Sequence, residues 1–409
     1  MLWLGQMVNG LGRQVTVVAL PFELWQLTHS SLSIGLLALV QLVPILGFSL
    51  GGGAVADAVD RRRLLIATQA LLAVSSLCLA ILAMQPSPPV WAFYVVAFVA
   101  AGVGAVDMPT RSSAIPRLVP RERLPAAIAV NWLSGQTVSV AGPVVAGVLI
   151  AVSGVATAFA FDVVTFGASL LALFLIAPIP PHPGAAKPGL KSIAEGLRFA
   201  RDRRIVMATF AIDLNAMIFG MPSSLFPQLA LTVFNTGAAG YGLLNAAPAL
   251  GAFVGAAFSG WVGRVRRPGR GVVIAVAGWG IAIAAFGLLA SYFPLALFCL
   301  AFAGGADVIS AVLRNSIVQL ATPDHLRGRL SSIHSLVVTS GPRLGDAEAA
   351  GVAAIAGPQF SVVSGGALCL VGLFLVARAF PELFAYEHGH ADTSRHTPAP
   401  AADPGDPAV

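Results

Sequence analysis

The sequence predicts an all-α membrane protein: twelve transmembrane helices in two pseudo-symmetric six-helix bundles. Three observations carry that prediction. Only 10% of the 409 residues are charged and 57% are hydrophobic, whereas a soluble globular chain is nearer a quarter charged. The apolar residues come in runs of about 20 or more, the length that takes a helix across the hydrocarbon core. The connections between runs alternate between arginine-rich and free of Lys and Arg, as expected of loops on opposite sides of a membrane.

Taken in order, the first run covers 2–25. It lacks the basic leader of a cleavable signal and passes straight into Pro21 and Glu23, so it reads as a span. Because it starts at residue 1, a short cytoplasmic segment is expected to precede it. Runs 33–56 and 64–84 flank Asp57, Asp60 and the three arginines Arg61, Arg62 and Arg63. Hydrocarbon cannot hold that many charges, and an arginine triplet marks the cytoplasmic side. The further runs are 91–113, 125–151, 155–177, 205–231, 239–262, 271–291, 294–318, 331–355 and 360–380. The outer connections, 26–32, 85–90, 152–154, 232–238, 292–293 and 356–359, contain no Lys or Arg. The inner ones hold the triplet, then Arg117, Arg121 and Arg123, the 178–204 group, Arg264, Arg266, Arg267 and Arg270, and finally Arg327 and Arg329. Both termini are therefore expected in the cytoplasm. The formal charge of +6 follows from this topology and calls for no nucleic-acid partner. Cys78, Cys299 and Cys369 lie far apart in apolar runs, without metal-binding spacing.

Between spans six and seven, Pro178-Ile-Pro-Pro-His-Pro-Gly opens a stiff connection. It continues with Ile193, Leu197 and Ala200 at helical spacing opposite Glu195, Arg198 and Arg201, an amphipathic helix expected along the inner membrane face. The chain thus divides into bundle 1–177, linker 178–204, bundle 205–380 and a disordered tail 381–409. That tail holds His388, His390 and His396, read as scattered solvated histidines and not as metal ligands. The halves repeat in the same direction: Arg111-Ser-Ser-Ala-Ile-Pro-Arg-Leu-Val-Pro120 aligns with Arg314-Asn-Ser-Ile-Val-Gln-Leu-Ala-Thr-Pro323, 203 residues on. Gly53-Ala-Val-Ala-Asp57 is echoed by Gly260-Trp-Val-Gly-Arg264, with arginine in place of the acid. Such repeats face each other across an axis along the membrane normal, with the site between them near the midplane.

The connection Gly53…Asp57…Arg61-Arg62-Arg63 resembles the signature between spans two and three of the major facilitator superfamily, and the resemblance covers essentially the whole chain. Leu27-Thr-His-Ser-Ser-Leu, Asp107-Met-Pro-Thr-Arg111, Ile115-Pro-Arg-Leu-Val-Pro and Leu225-Phe-Pro are similar to its bacterial exporter branch of enterobactin exporters and Tap-like multidrug efflux pumps. The resemblance implies a bacterial inner-membrane transporter. In it Gly53, Asp57, Arg61 and Arg62 would latch the halves on the cytoplasmic side, with Asp57 stabilised against a helix N-terminus. Ala58 and Asp60 depart from the family's arginine and glycine, and the arginines alone are equally readable as topology anchors. Gly142-Pro143-Val-Val-Ala-Gly147 is similar to the exporters' antiporter motif, with Ala146 for a glycine. Close helix packing by small residues accounts for it as well.

Ionisable groups inside spans are costly and usually face a bundle interior or a water-filled cavity. Arg13, Asp107, Arg111, Asp213, Asp307 and Arg314 fall in spans one, four, seven and ten, the cavity-lining spans of the resembled fold. Asp107 and Arg111, four apart, share a helix face. The rival to a cavity role is a set of static buried pairs; Asp213 and Asp307 are assigned to the cavity, Arg111 and Arg314 to structure. Arg343 and Asp346 are expected to pair within span eleven, while Glu348 has no evident partner and stands as a proton-carrier candidate beside a structural reading. Asp162 is ambiguous in the same way, and Glu23 is expected in solvent. No phosphate-binding glycine loop or metal-binding His pair is present, so neither enzyme nor cofactor is expected. The expectation is a monomeric, proton-coupled exporter of an amphipathic siderophore or drug-like molecule, working by alternating access, with Arg13, Phe22, Asp107, Asp213, Met217, Asp307 and Arg314 around the substrate. The rivals are an importer on the same fold, or a receptor or scaffold that transports nothing.

Overall fold

The computed structural model describes residues 2–58, 60–175, 198–199, 201–290 and 292–386. The amphipathic linker helix and the histidine tail fall almost wholly outside these. In chain order the long helices are α1 (Leu2–Thr28), α2 (Ser31–Ala58), α3 (Arg61–Ala83), α4 (Val90–Leu118), α5 (Leu124–Ser153) and α6 (Val155–Phe174). They are followed by α7 (Arg204–Phe219), α8 (Gly237–Ala257), α9 (Pro268–Leu288), α10 (Phe293–Ala321), α11 (Asp324–Ala356) and α12 (Pro358–Ala379). Nine segments among the described residues are long and apolar enough to cross a membrane on their own. The others are α1, α8 and α11. α1 carries Asn9, Arg13 and Glu23, α8 is rich in glycine, and α11 carries Arg343, Asp346 and Glu348. The charges of α1 and α11 and the glycines of α8 lower their hydropathy below that of the other nine.

The surface is apolar and the interior partly polar. Val43, Val164, Ile274, Phe298 and Phe374 are all more than half exposed, while Gln69, Asp107, Asp162, Asp213 and Arg314 are buried. That inversion suits a lipid solvent, in which charge must be kept inside.

Turn chemistry repeats with the sequence. α5 passes into α6 through Gly154 and α11 into α12 through Gly357, with φ of +83° and +89°. The two glycines are 203 residues apart, the same offset as the Arg111 and Arg314 segments. A one-residue corner between antiparallel helices needs a left-handed backbone, which glycine adopts without strain. His29 before α2 and Asn235 before α8 also have positive φ.

Within the first half α1 packs on α5 and α6, α2 on α4, and α3 on α4 and α6; in the second, α7 packs on α11 and α12, α8 on α10, and α9 on α10 and α12. Two seams join the halves, α2 with α11 and α5 with α8. Both use the ends near the Lys- and Arg-free connections. A methyl group built on Gly147 would stand 2.9 Å from Cα of Gly242, and one on Gly35 2.6 Å from Cβ of Ala350. Ser31 donates to the carbonyl of Ala350 at 3.3 Å, and Tyr241 to that of Val18 at 2.9 Å. At the opposite end α5 is bare: Ile128, Trp132 and Leu133 are each at least half exposed. The molecule is closed at one end and open at the arginine-rich one.

The expected unbroken seventh span is interrupted. α7 stops at Gly220, ahead of Pro222; Ser223–Leu225 forms a tight turn, and Leu229–Val233 a wide one closed by Phe234 N–H donating to Leu229 O at 2.9 Å. Pro222 and Pro227 each remove a backbone donor, and with Gly220 just ahead they fall where the helix breaks and restarts.

Candidate functional site

Arg111 of α4 and Arg314 of α10, at matching places in the two halves, each reach back one turn. Arg111 contacts Asp107 at 3.0 Å; Arg314 donates to the hydroxyl of Ser310 at 2.8 Å. Both partners sit four residues before their arginine, so Ser310 occupies the place in α10 that Asp107 holds in α4. A hydroxyl does not neutralise a guanidinium. Arg314, itself buried, therefore takes its counter-charge from elsewhere: Asp213 of α7 at 2.7 Å and Asp307 of α10 at 3.8 Å.

In the first half the aspartate is saturated. Asp107 has no exposure and accepts from Thr68 Oγ1 (2.7 Å) and Gln69 Nε2 (3.0 Å) besides contacting Arg111. Gln69 in turn accepts from Asn9 at 2.8 Å, so α1, α3 and α4 are tied in one network. Asp107 was expected to line the cavity, but α3's hydroxyl and amide draw it into the bundle. Asp162 is held likewise by Thr16 and Ser76, both at 2.7 Å, and Thr165 at 3.3 Å. A buried carboxylate given two or three donors has its acceptor oxygens satisfied.

The second-half site is not saturated. Neither carboxylate oxygen of Asp213 accepts an aligned hydrogen bond among the described residues, and Oδ1 of Asp307 and Nε of Arg314 are also unmatched. The 2.7 Å approach of Arg314 to Asp213 is a charge contact without hydrogen-bond alignment. Asp213 is 1% exposed, whereas the Asp307 side chain is 37% exposed. One arginine thus serves a sealed carboxylate and a partly exposed one, whose Oδ1 facing the arginine is buried. His334 of α11 packs by its ring on Phe210 of α7, one helical turn before Asp213. The sequence reading did not single out Ser310, His334 or the Thr68–Gln69 pair, although the 203-residue offset applied to Asp107 lands on Ser310.

The other expected site residues are distributed. Arg13 is exposed and lies against the backbone of α4, where a methyl group on Gly104 would meet its Nη2 at 2.9 Å. Phe22 does not face a cavity: it is 2% exposed and stacks on Tyr241 across the closed end, ring centroids 5.3 Å apart. Met217 is likewise buried, its side chain filling the space left by Gly341 of α11. Glu23, expected in solvent, is 8% exposed because the closed end covers it. Glu348 is half-buried, with no hydrogen bond or ion pair among the described residues.

Arg343 and Asp346 do not pair as expected. Arg343 donates to the carbonyl of Thr339 at 2.6 Å, while Asp346 accepts from Ser223 Oγ (2.6 Å) and the Ser224 N–H (2.7 Å). Asp346 satisfies donors that the break after α7 would leave orphaned.

At the signature, Gly53 and Asp57 lie in α2, and their side chains fall outside the described part. Asp60 caps α3 by accepting from the Arg63 N–H at 3.0 Å, which gives a structural purpose to this departure from the family pattern. Arg61 is 4% exposed, and Arg62 donates to the carbonyls of Leu173 (3.0 Å) and Phe174 (2.8 Å) at the end of α6. In the antiporter-like stretch, Gly142 gives room to Gln14 of α1. Pro143 O and Gly147 face Gly242 of α8, so the stretch lies on the seam between halves.

The sequence pattern of the transmembrane secretion effector family matches residues 1–404. The chain is 31% identical over 364 residues to the enterobactin exporter EntS of Citrobacter koseri, covering 88% of this chain and 86% of that protein. To EntS of Escherichia coli O81 it is 29% identical over 363 residues, with the same coverage. Among solved structures it is similar to a POT family transporter in complex with 5-aminolevulinic acid (TM-score 0.75, 12% identity, 93% of this chain and 96% of the other). It is also similar to a bacterial homologue of the iron transporter ferroportin in the inward-facing state (TM-score 0.71, 15% identity, 94% and 98%). At these identities the structural likeness is one of fold.

Proposed function

The chain belongs to the transmembrane secretion effector family, within the major facilitator superfamily of transporters, and on that premise we propose that it is a proton-coupled exporter of an amphipathic small molecule. It would work in a bacterial inner membrane with both termini in the cytoplasm. The observation that carries the reading is the shared arginine: Arg314 stands between sealed Asp213 and partly exposed Asp307. Proton uptake at Asp307 removes one of the two claims on Arg314, and the guanidinium then belongs to Asp213 alone. Proton loss, or an anionic substrate group entering from the open end, draws it back. Each state favours a different placement of α10 against α7, which is what a coupled cycle requires. One charge crossing the membrane potential supplies about 2.3 kcal/mol per 100 mV.

The relatives are enterobactin exporters, which supports a catecholate siderophore as the first molecule to try, with exposed Arg13 as its anion contact. Cationic amphiphiles suit the carboxylates. The test uses everted membrane vesicles, in which export appears as uptake. A labelled catecholate siderophore and a cationic dye are each offered with and without an imposed pH gradient. Gradient-dependent uptake of one of them, lost with protonophore and in Asp307→Asn, is expected. Uptake that ignores the gradient in the wild type overturns coupling, and uptake by right-side-out vesicles alone makes the protein an importer.

A further inference from the structure

We propose that the lipid-facing side of α8, α9 and α10 holds a site for an anionic phospholipid of the cytoplasmic leaflet, one acyl chain lying in a groove and the headgroup on an arginine cluster. The leaflet alone rests on the topology proposed above. The groove encloses about 750 Å³. Its floor is glycine: Gly251 and Gly255 of α8 press against Ala301 and Gly305 of α10, backbone on backbone. Side chains absent from the floor leave a trough, walled by Ile274 of α9 and by Phe298 and Phe302 of α10. The α10 wall runs from Phe298 to Leu313. At 1.5 Å per helical residue that is roughly 22 Å, about the depth of one leaflet and more.

One end of this trough is charged and the rest is not. Arg267 and Arg270 line it at the start of α9 beside Trp261, and Arg264 and Arg266 lie in the same connection. Arg264, Arg266 and Arg270 are exposed and make no hydrogen bond or ion pair among the described residues. No Asp or Glu occurs between Asp213 and Asp307, so neither α8 nor α9 nor their connection supplies an acid to compete for them, and Asp307 of α10 contacts Arg314 instead. The start of α9 is itself closed, Pro268 and Gly269 being buried against Leu383, so the arginine side chains supply the positive charge. The repeat makes the feature specific to this half: the first-half connection carries Asp57 and Asp60, and here Arg264 replaces the acid. An apolar trough with a cationic mouth at the membrane interface matches an anionic phospholipid at both ends.

The experiment is native mass spectrometry of the full chain, delipidated in detergent and re-exposed to phosphatidylglycerol or phosphatidylcholine with the same acyl chains. Phosphatidylglycerol should be retained at least roughly tenfold better. Arg264→Gln/Arg266→Gln/Arg270→Gln should abolish that preference, whereas Arg198→Gln/Arg201→Gln/Arg203→Gln, an equal loss of charge elsewhere, should not. Gly278→Leu fills the trough at a point where an added methyl group meets Phe302 at an unstrained 3.5 Å; it should reduce retention of both lipids. A phosphatidylglycerol brominated in its acyl chain should quench the part of the fluorescence that Trp261→Phe removes. Equal retention of the two lipids by the wild type, a preference that survives the first triple substitution, or absence of that quenching would overturn the site. None of these outcomes depends on transport.

Discussion

Arg314 illustrates how one hydroxyl changes the work of a residue. In the first half the i−4 partner is Asp107 and the pair closes on itself; in the second it is Ser310, and the guanidinium is left to bind across helices. Removing it strands a buried carboxylate. Arg314→Gln should therefore destabilise the protein by about 3–5 kcal/mol, the cost typical of breaking one side of a buried pair. Arg314→Gln/Asp213→Asn should recover most of that loss. Thermal unfolding of the wild type, both single variants and the double variant in one detergent measures the coupling; additive losses would show that the pair carries no energy of its own. The same variants separate stability from transport, because Asp307→Asn leaves the sealed contact intact and should alter coupling with little change in Tm. The charges were legible in the sequence, since an ionisable residue in an apolar run announces itself. Which of them are neutralised was not, because that depends on Thr68, Gln69 and Ser310, neutral residues in neighbouring turns.

The interrupted seventh element has a single clamp. Asp346 of α11 accepts from both Ser223 and the Ser224 N–H, and Ser224 Oγ donates back to the Asp346 carbonyl at 2.9 Å. Asp346→Ala leaves those donors without an acceptor, a loss of about 1–3 kcal/mol per buried group. Amide exchange at residues 223–233 should then accelerate by about tenfold or more, while α9 keeps its protection. Uniform acceleration across all helices would instead mark Asp346 as a general packing residue. Here the sequence misled for a definable reason. Hydropathy sees 205–231 as one apolar run, and the prolines that break it are compensated by an acid more than 100 residues away. By contrast the short connections at 152–154 and 356–359 were readable as Lys- and Arg-free breaks between apolar runs, although the left-handed turns at Gly154 and Gly357 that make them appear only in the structure.

At the scale of the molecule, the two halves touch at one end and part at the other, and the contacts are made by the smallest residues. Gly147→Leu should wedge the α5–α8 seam open. In a background with Cys78, Cys299 and Cys369 replaced, Ser31→Cys is buried at the closed end and should react slowly with a membrane-impermeant maleimide. Adding Gly147→Leu should raise that rate several-fold, roughly in proportion to the population shifted; an unchanged rate would mean that the seam does not govern closure. The twelve-run reading and the inverted, lipid-facing surface followed from composition and periodicity. The partners across the seams did not: a glycine in an apolar run is as consistent with packing inside one half as between two.

The closed end also sets a thermal property. Parting Gly147 from Gly242 and Gly35 from Ala350 uncovers backbone and methyl groups, very little apolar surface. Of these contacts, the stacked Phe22 and Tyr241 hold the largest apolar area. Heat-capacity change scales with the apolar area exposed, so this ring pair contributes more than the glycine seams to the temperature dependence of the balance between closed and parted forms.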